Sequence, residues 1–193
     1  MAINQHLHEK ISALCVSDIC DHLVVKHNLY CRNLFPAIFV HLHAVEKIDS
    51  ERNPAVRKLR FSLELFREEA EQHLRKEEFI LFPYIRRLEM QINEVIEEQN
   101  GVEIPMIDGP VSLMKQEHRR HQSILDQLKA TVGEIDTSDC SPTLHVLLDE
   151  INNLTENYLE HINIEHDILF PKALELERRM KTKKLPPSNH FAS

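Results

Sequence analysis

The sequence predicts an all-α fold, an antiparallel four-helix bundle with a split first arm, and three observations predict it. Glycine is scarce, at three residues in 193, and tryptophan is absent. Long stretches rich in Leu, Glu, Lys, Arg and Ile run with few breakers, a composition that favours helix over sheet. Along each long stretch, apolar residues recur at alternating steps of four and three, the helical period. A chain of 193 residues suits one domain and buries a core without covalent staples.

Residues 1–16 read as an N-terminal extension, 17–182 as the helical bundle and 183–193 as a flexible tail, its KLPPSNHFAS beginning at Lys184. The first arm is expected as a hairpin of about 17–34 and 36–50, split at Pro36, because proline lacks the amide hydrogen that a helix interior uses. Its halves carry the stripes Cys20, Val24, His27, Cys31, Leu34 and Ile38, Leu42, Val45, Asp49. Each half places one potential ligand, His27 or Asp49, among apolar neighbours.

Asn53 followed by Pro54 reads as an N-cap with proline at the first helical position. It opens a helix of about 54–99, with a bend or break expected near Pro83. The inward stripe there is Leu59, Leu63, Phe66, Ala70, His73, Glu77, Ile80. Asn100-Gly101, Pro105 and Gly109-Pro110 mark a loop before a helix of about 110–132. That helix carries Val111, Met114, His118, His121, Leu125, Leu128 and Val132 inward. Gly133 and the stretch from Thr137 to Pro142 mark the next loop, with Ser141 capping a helix of about 142–182 that bends near Pro171. Its stripe is Leu147, Ile151, Leu154, Tyr158, His161, Glu165, Ile168.

Composition excludes several classes of function. A formal charge of −8 argues against nucleic acid as a partner. No run of eighteen apolar residues is present to span a membrane, and MAINQHLHEK lacks the apolar core of a signal peptide, so the protein reads as cytoplasmic. Cys15, Cys20, Cys31 and Cys140 match no zinc or thioredoxin spacing and are expected to stay thiols. Neither a glycine-rich phosphate loop nor a nucleophile elbow is present.

One eleven-residue phrase occurs twice. HLRKEEFILFP runs from His73 to Pro83 and HINIEHDILFP from His161 to Pro171, sharing the histidine, the glutamate four residues on, and I-L-F-P. On a helix, residues i and i+4 lie one turn apart, about 5–6 Å between Cβ atoms, so a histidine and glutamate at that spacing reach one centre. A lone H-x-x-x-E is usually a surface ion pair or a satisfied core histidine. Two copies on apolar stripes, joined by His118 on a third, instead point to a metal, since a buried glutamate is costly unless paired or coordinated. Imidazole and carboxylate without thiolate suit iron or manganese, and zinc less well. The Glu-x-x-His spacing of ferritin-like proteins is absent around both histidines.

These stretches resemble the hemerythrin-like bundles, and most of all the family of di-iron proteins that repair iron–sulfur clusters. The resemblance runs from about Asp21 to Leu174 and rests on DHLVVKH, the Leu34-to-Pro36 turn, HLRKEEFILFP, GPVSLMKQEH from Gly109 to His118, and HINIEHDILFP. It implies a four-helix bundle holding two non-heme irons, with His73, His118 and His161 as terminal ligands and Glu77 and Glu165 as bridges. The family's first-arm histidine falls at Asn28 without gaps, whereas the stripe prefers His27; its second-arm histidine falls at Asp49. His121 and Cys31 are the nearest compensating groups, and His22, His41 and His43 are expected off the core face. Members typically carry a separate cysteine-containing domain before the bundle, where this sequence has about twenty residues.

The expected metal ligands are therefore His27, Asp49, His73, Glu77, His118, His121, His161 and Glu165, around two iron ions, with manganese or zinc as competing occupants. Three functions follow from such a site: iron–sulfur cluster repair under nitrosative or oxidative stress, with iron–sulfur proteins as partners; a sensor or store for O2, NO or iron; or a scaffold whose site has decayed.

Overall fold

The computed structural model describes residues 5–51, 53–93, 106–138 and 140–184. Among them all regular structure is helical: eight α-helices and three five-residue π-turns. A short helix, α1 (Gln5–Ser12), precedes the first rod, which is α2 (Val16–Leu23), a π-turn (Val24–Asn28) and α3 (Leu29–Asp49) without interruption. The second rod is α4 (Ala55–Lys76), a π-turn (Glu77–Leu81) and α5 (Phe82–Asn93). The third is α6 (Asp108–Gly133), and the fourth is α7 (Pro142–Ile164), a π-turn (Glu165–Leu169) and α8 (Phe170–Lys184). Asn100-Gly101, Pro105 and the tail beyond Lys184 lie outside the described residues.

The first arm is not split, which corrects the expected hairpin at Pro36. Pro36 sits inside α3 on the exposed side of the rod. The amide it removes would have served a carbonyl on that wet face, where water replaces the bond. Meanwhile Cys31, Phe35, Ile38, Leu42 and Val45 continue one buried stripe straight past it. Burial of that stripe outweighs a local penalty of about 3 kcal/mol.

Pro83 and Pro171 behave as expected in position but not in form. Neither breaks its rod: each follows a π-turn whose closing bond runs from the amide of Phe82 to the carbonyl of Glu77, or from Phe170 to Glu165. The π-turn inserts one residue into the helical count. After this turn Ile80, expected on the inward stripe, is 65% exposed while Leu81 is buried, whereas on the fourth rod Ile168 and Leu169 are both buried.

Two caps illustrate the local chemistry. Ser141 Oγ accepts from the Leu144 amide at 3.2 Å, the expected N-cap. Asn53 does not cap α4; its side chain instead clamps Asp136 of the loop after α6, accepting from Asp136 N at 3.0 Å and donating to Asp136 O at 3.2 Å.

Side-chain pairs fix how the rods lie together. Along the first rod, Asn28 pairs with Glu78 and Glu46 with Arg60 of the second. Along the second, Lys58 pairs with Glu134 and His73 with Glu117 of the third. His118 meets His166 and His121 meets Tyr158 between third and fourth, and His41 meets Glu150 and Asp49 meets Ser141 between first and fourth. In each case the partner's number falls as the first number rises.

Two apolar clusters fill the interior. One includes Cys31 to Val45, Leu59 to Leu74, Ile124 to Leu128 and Leu144 to Ile162; the other includes Ile11 to Leu23, Leu81 to Leu88, Val111 to Met114 and Ile164 to Ala173. On every rod the buried polar residues His27, Asn28, His73, Glu77, His118, His121, His161 and Glu165 fall where one cluster gives way to the other. No helix among the described residues is long and apolar enough to cross a membrane.

Candidate metal centre

The second and fourth rods deliver their polar groups at this junction by the same local device. On the second and fourth rods a histidine closes one α-turn and a glutamate, four residues on, opens the π-turn. I-L-F-P completes the phrase: Leu81, Phe82, Leu169 and Phe170 are buried against the second apolar cluster and anchor the turn. The third rod contributes His118 by helical period alone.

The result is a tight group. One ligand atom each from His73, Glu77, His118, His161 and Glu165 all lie within 4.8 Å of one another, and all five side chains are fully buried. Glu77 Oε1 is 2.5 Å from His73 Nε2 and 3.2 Å from His161 Nε2. Glu165 Oε2 is 3.1 Å from His118 Nε2 and 3.4 Å from His161 Nε2, with neither ring aligned to hydrogen-bond it. His118 Nε2 stands 2.9 Å from His73 Nε2. Glu77 Oε2 and both oxygens of Glu165 have no hydrogen-bond partner. Buried carboxylate oxygens left without donors are costly for a folded chain and complement a cation.

Outer groups turn the imidazoles inward. Glu117 Oε2 accepts from His73 Nδ1 at 2.9 Å, and Lys76 Nζ holds the other Glu117 oxygen at 2.5 Å. His118 Nδ1 is 2.8 Å from His166 Nε2, and the His118 ring stacks on Phe170. Fixing Nδ1 from behind leaves Nε2 to face the centre, the arrangement that supports ligating histidines. Sequence reasoning missed Glu117, His166 and Asn157, since each acts across a gap between rods. Two of them carried a signal, adjacency: Glu117 precedes His118 and His166 follows Glu165.

Electrostatics reflects this crowding. Burial opposes a charged ring at His73, but Glu77, Glu117 and Glu165 outweigh it and lift its pKa to about 9. The same contest, won by Glu77 and Glu165, lifts His161 to about 10. Burial alone would raise the Glu77 carboxyl; His73 and His161 overcome it and hold that group well below the carboxylate range. The hydrogen bond from His73, aided by Lys76, draws Glu117 down to about 2. The protons on these rings thus do what a metal would do, balancing two buried carboxylates.

The remaining expected ligands separate. His27 is buried, its ring 5.8 Å from that of His161, with Nδ1 3.2 Å from the Asn157 carbonyl and Nε2 unpartnered. Burial and the neighbouring His161 push its pKa down to about 4, which leaves a lone pair available. His121 is buried one turn from His118, but it stands outside the five-residue group, its Nδ1 2.8 Å from Tyr158 Oη.

Asp49 is not brought to the centre. It lies at the end of α3, where it accepts from Ser141 Oγ at 2.6 Å and Ser141 N at 3.3 Å. The expectation required the first arm to fold back at Pro36. On a continuous rod, 22 residues separate Asp49 from His27, about 33 Å at 1.5 Å per residue.

A family model described as the hemerythrin HHE cation binding domain matches residues 21–173. The chain is 28% identical over 162 residues to the iron-sulfur cluster repair protein YtfE of Enterobacter sp. (strain 638), covering 83% of this chain and 67% of that protein. It is likewise 28% identical over 160 residues to the proteins of that name from Escherichia coli O81 (strain ED1a) and Escherichia fergusonii, covering 82% of this chain and 66% of each. The chain thus spans about two thirds of the length of the curated relatives it matches.

Proposed function

Because the chain belongs to the hemerythrin HHE cation-binding family, we propose that it is a non-heme di-iron protein acting in the repair of iron–sulfur clusters. The observation that carries this reading is the convergence of three imidazoles and two carboxylates within 4.8 Å, with three carboxylate oxygens unpartnered. Two ions about 3.5–4 Å apart suit such a set, since each carboxylate offers two oxygens and can bridge. His73, His118 and His161 would hold the ions through their imidazoles, Glu77 and Glu165 through their carboxylates, and His27 Nε2 would be the donor from the first rod. Iron fits imidazole with carboxylate best; manganese and zinc are the competing occupants.

The opposed numbering of the cross-rod pairs supports an antiparallel four-helix bundle over 17–182, with α1 in the extension before it. Four thiols and a ferrous site suit a reducing compartment such as the cytoplasm.

Bound iron would supply an open coordination position for a small diatomic such as O2 or NO and a reserve of metal for damaged clusters. The chain's own residues supply the rest. Glu117 and His166 orient His73 and His118. The apolar clusters on either side exclude water, which strengthens the carboxylates' hold on a cation. On loading, His73 and His161 give up protons, and their Nε2 lone pairs become available.

The repair function comes from the relatives' name, and the chain spans only about two thirds of their length. A second reading, a sensor or store for O2, NO or iron, uses the same site without turnover. Incubating iron-loaded protein with an iron–sulfur enzyme inactivated by nitric oxide separates the two. Repair predicts recovered activity that Glu77→Ala with Glu165→Ala abolishes. A stable, reversible optical adduct with no recovery contradicts repair and supports sensing.

A further inference from the structure

The first rod carries two consecutive buried polar residues, His27 and Asn28, at the end of its π-turn. Both are buried, Asn28 completely. Each ends in a buried atom with no hydrogen-bond partner: His27 Nε2 and Asn28 Oδ1.

Both orientations are fixed from behind. His27 Nδ1 faces two oxygens of Asn157, the carbonyl and Oδ1, each at 3.2 Å. Two acceptors require the proton on Nδ1, so Nε2 keeps its lone pair. Asn28 Nδ2 donates to Glu78 Oε1 at 2.9 Å, and Arg32 Nη1 holds Glu78 at 3.0 Å. Reversing the amide would set Oδ1 against a carboxylate oxygen, so Oδ1 takes the other branch, away from Glu78. Glu78 directly follows Glu77 on the second rod, and the His27 ring stands 5.8 Å from His161 on the fourth.

The first rod therefore presents two lone pairs and no proton. The carboxylates contribute three more unpartnered acceptors, Glu77 Oε2 and the two Glu165 oxygens. A surround of acceptors complements a cation; a single water could donate to only two of them.

We infer that Asn28 is itself a metal ligand, its Oδ1 pairing with His27 Nε2 so that the first rod grips one ion of the centre through adjacent nitrogen and oxygen donors. This rests on the metal-holding reading above. It makes the two metal positions unequal, because one includes a neutral, hard carbonyl oxygen. Carbonyl oxygen suits manganese and ferrous iron better than copper or zinc. The Arg32–Glu78 pair is then a positioning device for the amide, and Arg32 is only partly exposed beside it.

The test is anaerobic titration of metal-stripped protein with Fe(II), and separately with Zn(II), in the wild type, Asn28→Ala and Asn28→Asp. The expected wild-type result is two Fe(II) sites of different affinity. Asn28→Ala should keep the tighter site and weaken the other at least tenfold, while the metal-free melting temperature holds or rises. Asn28→Asp, which restores an oxygen donor, should recover the weaker site. If Asn28→Ala does not fold, Asn28→Leu, similar in size and without a donor, takes its place with the same expectation. Wild-type affinity at both sites in the alanine or leucine variant overturns the assignment and leaves the five-residue centre standing. A wild type that binds no Fe(II) overturns the assignment together with the reading it rests on.

Discussion

Glu77 and Glu165 each open a π-turn on a different rod, and their carboxylates converge on one nitrogen: His161 Nε2 lies 3.2 Å from Glu77 Oε1 and 3.4 Å from Glu165 Oε2. The duplicated phrase in the sequence therefore builds the same turn twice. Histidine closes the α-helix, glutamate starts the wider turn, and I-L-F-P seats the following helix in apolar packing.

The π-turn is a local departure placed at the candidate centre, and such turns often mark functional sites. Deleting Ile80, an exposed residue inside the second rod's turn, should restore an unbroken α-helix there. The metal-free melting temperature should then hold or rise, while Fe(II) binding weakens because Glu77 loses its orientation. Unchanged Fe(II) affinity in a folded deletion variant contradicts this role for the turn.

Glu117 sets the tautomer of His73 without belonging to the five-residue group. Loss of such an outer partner typically weakens metal binding about 10–100-fold. Glu117→Gln should show a weakening of that order by competition with a chelator, and an unaltered affinity would remove Glu117 from the account.

Asp49 has a structural role at the start of α7, accepting from both the amide and the hydroxyl of Ser141. Asp49→Ala leaves those donors unpaired, a loss of roughly 2 kcal/mol. For a chain of this size that is a drop of about 4–8 °C in melting temperature. Metal content should not change. A variant that melts normally but loses iron would return Asp49 to the ligand set.

The metal-free protein should show a stability window in pH. Burial opposes charge at His73 and His161, but Glu77 with the carboxylates beside it outweighs burial and raises their folded-state values from 6.5 to about 9 and about 10. Raised values give stabilisation that is complete below pH 6.5 and lost as pH climbs through 9 to 10. Glu117 is lowered from 4.5 to about 2 by the His73 hydrogen bond, so its contribution is complete above pH 4.5 and lost as pH falls towards 2. Melting temperatures should therefore decline on both sides of that interval. Metal loading replaces the ring protons and should flatten the alkaline side. A metal-free curve that stays level from pH 6.5 to 10 contradicts the buried pairs.

Much of this was legible from period and spacing. Steps of four and three put His73, Glu77, His118, His161 and Glu165 inward, and all five are buried. Ser141 announced its cap, and His41 and His43 stay off the core face as expected. What escaped has physical reasons. A one-residue π insertion leaves no composition signal, and on the second rod Leu81 rather than Ile80 is the buried residue. Pro36 carries the mark of a helix breaker, yet it stands on a wet face beside a stripe whose burial overrides it. The stripe and the resemblance both pointed to Asp49, and only an arm folded back at that break could bring it to the site. Glu117, His166 and Asn157 act between rods, and a period along one rod says nothing of its neighbour's register.

The central claim is that these buried groups exist to hold metal. Its most direct test is the metal content of protein expressed with supplemented iron and purified without oxygen, beside the Glu77→Ala, Glu165→Ala double variant. The account predicts about two irons per chain in the wild type and none in the variant. Wild-type protein without a transition metal, or a double variant with undiminished iron, would contradict it.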